Sequence, residues 1–134
     1  MPPSQPSPLD APMPNERWKA EPEEQDYPAA RSYLSLLVSP DDARRYAKAL
    51  AKETRLWHYK AKDLLRSSGL ALLASDDHEL EKDLEKVRNG VKLSPVLLVR
   101  GVPLWVADGY HRICASYHID EDALIACRIV DRLR

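Results

Sequence analysis

One short stretch of this chain carries residue types that could do chemistry: Ala107-Asp108-Gly109-Tyr110-His111-Arg112. An apolar segment ends at Ala107, a glycine permits a tight turn, and a helical pattern starts at once. The first turn of a helix has amides without intrahelical partners, and its positive dipole end attracts anions. Cations there work against the dipole, so His111 and Arg112 make sense if an anion sits among them. Arg112 would grip a phosphate through two parallel hydrogen bonds, and His111 would donate another. Gly109 would let the ligand approach the backbone, where the Tyr110 and His111 amides lie. Asp108 is the acid adjacent to the turn and the candidate general base or Mg²⁺ holder. The competing account makes Asp108 a helix cap and pairs Arg112 with Asp108 or Asp131.

Lys60 and Lys62 complete the candidate set. With His58 they fall on one side of an alternating segment, opposite Trp57, Tyr59 and Ala61. Facing the turn, they would add charge to a phosphate site; otherwise they form a solvated strand face. His111, Cys114 and His118 invite a metal reading, but the two histidines are seven positions apart, about 10.5 Å along a helix. Zinc ligands must all lie ~2.0–2.3 Å from the ion, so no structural metal is expected. Asp120-Glu121-Asp122 reads as a solvated loop, and no Walker loop or Ser/His/Asp arrangement is present.

The elements that must position these residues follow from periodicity. Helices are expected over 28–37, with Tyr33, Leu36 and Leu37 on one side, and from Pro40 to about Glu53. Ser39 caps the second, proline opens it and two acids face its dipole. A strand is expected over 56–61, a helical turn over 63–69 and a helix over 76–89 with Asp76 and Glu79 as its capping box. Val96-Leu97-Leu98-Val99 suits a strand buried on both faces, followed by a hairpin to Leu104–Ala107. A helix over 109–118 and a strand over 123–130 close the chain, with room for a crossover between parallel strands. The fold class is α+β: a small mixed sheet of about four strands with packed helices.

Pro95-Val96 opening a strand, the hairpin, the Asp108-Gly109-Tyr110-His111-Arg112 turn and Ala115 on the following helix resemble the ParB/sulfiredoxin-like family. The resemblance spans roughly residues 57–130. It implies a phosphate-gripping turn and hence a nucleotide ligand, accompanied by Mg²⁺. Sulfiredoxins carry a catalytic cysteine where this chain has Tyr110, so sulfinic acid reduction is not implied. ParB proteins continue into a DNA-reading helical domain, whereas only Asp131-Arg132-Leu133-Arg134 follows the last strand here.

Composition sets the outer bounds. The chain has 134 residues, suited to a single domain, and a net charge of −1, which lacks the basic footprint of binding to nucleic acid by bulk charge. Eight of the 11 prolines fall in the first 28 residues, with Arg17 and Lys19 against six acids through residue 30. Residues 1–25 are therefore expected to be a disordered tail with Trp18 incidental, and 26–134 one domain: a helical cap over 26–55 and a core over 56–130. Cys114 and Cys127 lack disulfide spacing, and neither a leader nor a membrane span is visible, so a cytoplasmic protein is expected. The leading function is binding of a phosphate-bearing ligand, a nucleotide, at the turn, with phosphoryl transfer or hydrolysis open. The alternatives are a DNA-associated accessory or nuclease-like protein, and a non-catalytic module binding a protein through residues 1–30.

Overall fold

The computed structural model describes residues 17–134; the expectation for residues 1–16 lies outside the described residues. It is α+β, with a four-stranded mixed sheet between helices on both faces. In chain order the elements are α1 (Asp26–Leu34), α2 (Pro40–Lys52), β1 (Trp57–Lys60), α3 (Ala61–Ser68), α4 (His78–Arg88), β2 (Val96–Val99), β3 (Trp105–Asp108), α5 (Tyr110–Ile119) and β4 (Leu124–Val130). No helix among the described residues is long and apolar enough to cross a membrane.

Strand order is β1-β4-β2-β3, and every residue of β2 is buried, as its unbroken apolar run requires. β2 pairs antiparallel with β3 and parallel with β4; β4 pairs antiparallel with β1. The parallel partner of β4 is thus β2, and the strands that α5 joins, β3 and β4, run in opposite senses. The hairpin has already reversed the chain, so the end of β3 and the start of β4 lie at one end of the sheet, two strand spacings or ~10 Å apart.

Alternation along the strands feeds two cores. Val96, Leu98, Val106, Ile125, Cys127 and Ile129 pack with α3, α4 and α5 on one face. Leu97, Val99 and Ala107 meet Ala30, Leu34, Ala43, Tyr46 and Leu50 of α1 and α2 on the other. Ser39 accepts a hydrogen bond from the Asp42 amide, and α2 buries the Ala43, Tyr46, Ala47 and Leu50 stripe. In α1 the side is corrected: Ala30 and Leu34 are buried, whereas Tyr33, Leu36 and Leu37 are exposed, because the helix starts at Asp26 and stops at Leu34. α4 is capped by Asp77, which accepts from the Leu80 amide, rather than by Asp76.

Residues 17–25 depart from the expected tail. Trp18 is 5% exposed, and its indole donates to the Leu124 carbonyl at 3.1 Å. Lys19 N donates to Leu93 O at 2.8 Å and Leu93 N to Arg17 O at 2.7 Å. Burying one indole contributes several kcal/mol, enough to order a short segment that composition reads as unstructured.

Candidate functional site

The turn forms as its sequence suggests. β3 ends at Asp108, Gly109 takes φ 109°, a value few side chains tolerate, and α5 starts at Tyr110. The space a Gly109 side chain would need belongs to the protein: a Cβ there would lie 2.4 Å from Val96 Cγ1 and 2.8 Å from Arg112 Nη2. Gly109 therefore serves packing of the turn on β2.

Arg112 is held by carboxylates of this same chain. One helical turn beyond Asp108, its Nη2 donates to Asp108 Oδ2 at 2.8 Å, and Nη1 lies 3.8 Å from Asp26 Oδ2. Asp26 is fixed in turn by the Ser94 hydroxyl and by the Glu23 amide at 3.1 Å. The side chains of Arg112 and Asp26 are 13% and 9% exposed. Burial pushes the Asp108 carboxyl above its usual range; Arg112 opposes that shift and Asp26 adds to it. Asp83 of α4 is raised for the same first reason, with Arg112, Lys86 and His111 opposing. A phosphate arriving here would meet two carboxylates already bound to the one guanidinium. The structure thus pairs Arg112, expected as a phosphate grip, with Asp108, expected as a base, and with Asp26.

The remaining turn residues face elsewhere. The Tyr110 hydroxyl donates to the Ala71 carbonyl, and the Tyr110 and His111 rings lie 5.6 Å apart. His118 bonds the Leu73 carbonyl at 2.6 Å, and Cys114 is fully buried with its thiol pKa raised by that burial.

Lys60 and Lys62 do not join the turn. Lys60 ends β1 and stands at the start of α3, so Lys62 is helical rather than part of a strand face. Both meet the loop after α5: Lys62 Nζ lies 2.7 Å from Asp122 Oδ1 and 3.9 Å from Glu121 Oε1, and Lys60 Nζ lies 3.7 Å from Asp122 Oδ1. The ion pair with Lys62 holds the Asp122 carboxyl below its usual range and lifts the Lys62 ammonium. Asp120-Glu121-Asp122, read as merely solvated, thus partners α3.

These lysines border an open groove of about 770 Å³ that also takes in Arg66 and Tyr117, with Leu65, Leu70 and Leu72 as an apolar wall. Arg66 Nε lies 3.1 Å from Asp63 Oδ1. Sequence reading missed Arg66 and Tyr117. The available signal was spacing: Arg66 follows Lys62 at i+4 and shares its helix face. The groove's ion pairs involve side chains 21–77% exposed. Exposed pairs are worth about 0–1 kcal/mol each, so a phosphate can displace such carboxylates, whereas breaking a buried pair costs about 3–5 kcal/mol.

No protein-family model, curated protein or solved structure matches this chain.

Proposed function

We propose that this protein binds a phosphate-bearing ligand with a planar ring, a nucleotide, in the groove between α3 and the end of α5. The observation that carries the reading is the convergence of Lys60, Lys62 and Arg66 beside an apolar wall and the Tyr117 ring, in a groove of about 770 Å³. That volume lies within the ~300–1,000 Å³ typical of small-molecule sites. Lys60 and Lys62 take phosphate oxygens as point charges, and Arg66 offers a planar fork. Tyr117 and Leu72 receive the ring.

In this reading Mg²⁺ arrives with the nucleotide, held by its phosphates. Asp108 takes no part at this groove, and binding alone is assigned. Membership of the ParB/sulfiredoxin-like family is part of the proposal, with the ligand displaced from the family's turn because Asp26 and Asp108 already hold Arg112.

The test is thermal unfolding of the full chain with ATP, GTP, tripolyphosphate or adenosine, each with and without Mg²⁺. A nucleotide at 100 times its Kd adds about 2.7 kcal/mol of stability. The shift should vanish in the Lys62→Ala/Arg66→Ala double variant and persist in Lys86→Ala, a cation near Arg112 but outside the groove. Absence of a shift with every nucleotide, or an undiminished shift in the double variant, overturns the reading.

A further inference from the structure

On the other side of α3 lies a second, smaller cavity of about 260 Å³. Its floor is apolar: Leu64, Leu98 and Ile129 are 4%, 0% and 8% exposed, and half-buried Leu104, whose N–H donates a hydrogen bond to the Ser67 carbonyl at 2.9 Å, closes one side. The mouth is cationic. Arg66 and Arg100 line it, and the Arg132 guanidinium fills the space where a side chain on Gly101 would begin. Among the lining residues the two guanidiniums face one acid, Asp63, while Arg100 also pairs with Asp131 outside the lining. The carboxylates lie 3.1 Å from Arg66 Nε and 2.9 Å from Arg100 Nε, and the Tyr59 hydroxyl of the cavity wall also faces Arg100. Arg132 is spent differently, stacked 3.4 Å from the Trp105 ring centroid and donating to the Pro103 carbonyl at 2.5 Å.

From this apolar floor beneath a guanidinium-lined mouth, we propose that the cavity is a binding site for a small monocarboxylic acid with an aromatic or branched apolar body. The acid inserts its body over Leu98 and Ile129 and leaves its carboxylate at the mouth, with Arg100 as the main partner. A guanidinium suits a carboxylate because its two parallel N–H groups match both oxygens. Size sets the class: at ~30 Å³ per water-sized volume, a cavity of about 260 Å³ takes about nine non-hydrogen atoms. That is too little to enclose a whole nucleotide, and it suits a phenyl ring whose short acid arm reaches the open mouth. The site stands independently of the nucleotide reading, although Arg66 borders both cavities.

Sodium phenylacetate is the probe, titrated into the ¹⁵N-labelled full chain with 2-phenylethanol as neutral match and acetate as charge-only control. Phenylacetate should move the amides of Ser67, Leu98, Gly101 and Leu104 and bind at least about fivefold more tightly than either control. Arg100→Gln, at a side chain 56% exposed, should weaken binding about tenfold, and Ser67→Phe, which obstructs the mouth from an exposed position, should abolish it. Lys62→Ala should leave phenylacetate binding unchanged, so the failure of one site is distinguishable from failure of the other. The proposal is overturned if on the order of 10 mM phenylacetate moves none of these amides. Equal binding of 2-phenylethanol, or full affinity in Arg100→Gln and Ser67→Phe, also overturns it.

Discussion

Replacing Arg112 with methionine separates a structural guanidinium from a ligand-binding one. The substitution keeps most of the apolar stem and removes the charge between Asp26 and Asp108. Both partners are largely buried, with side chains 9% and 21% exposed, and Arg112 itself is 13% exposed. Removing one member of a buried ion pair costs about 3–5 kcal/mol because the other charge is left uncompensated. Here the loss falls near 3 kcal/mol at pH 7, since Asp108 is partly open to water and can take a proton. Roughly 10–20 °C of Tm would follow for a domain of this size. The pH dependence has a definite sign. Asp108 holds its proton more tightly folded than unfolded, so its contribution to stability falls as pH rises from its ordinary value of 3.8 through the raised folded value. Arg112 opposes the upward shift, so the variant raises that carboxyl further and widens the window. Urea unfolding of both proteins at pH 5 and pH 7 should show the larger deficit at pH 7. A loss below about 1 kcal/mol, or one equal at both pH values, refutes the buried triad. Nucleotide stabilisation of the folded variant at low temperature should survive; its loss would return the phosphate to the turn.

Trp18→Ala should cost about 3–5 kcal/mol in chemical unfolding although it lies in a proline-rich stretch, and a cost under about 1 kcal/mol would mean residues 17–25 are not part of the fold. Gly109→Ala should lose at least about 2 kcal/mol, from φ 109° and a Cβ 2.4 Å from Val96 Cγ1, and adding Val96→Ala should recover less than half, because the backbone term remains; a neutral Gly109→Ala contradicts the packing role. Asp83→Asn should match or exceed the parent's stability at pH 7 and lose that advantage at pH 4, since burial raises the Asp83 carboxyl and its cost grows as pH rises through that window; a variant less stable at pH 7 than at pH 4, relative to the parent, refutes this.

Local signals were legible in the sequence because their causes are local. Ser39-Pro40 starts α2 through a side-chain bond three residues away, the buried β2 announces itself as four consecutive apolar residues, and Gly109 marks the strand-to-helix turn through its own φ. Even the Asp108–Arg112 bond was accessible, as an i, i+4 pair on a helix start. Charge partners across the fold were not. Asp26 reaches Arg112 from 86 positions earlier, and Lys62 meets Asp122 from 60 positions away; a Coulomb interaction has no sequence period and acts only after the sheet order is set. Trp18 is the apolar counterpart, since a tail and a strap share a composition until an indole finds the carbonyl of Leu124. The residue types therefore determined which elements form and where a cationic turn lies, whereas the tertiary structure alone decided that Arg112 of this turn is paired within the fold and that Lys60, Lys62, Arg66 and Arg100 line cavities on the two sides of α3.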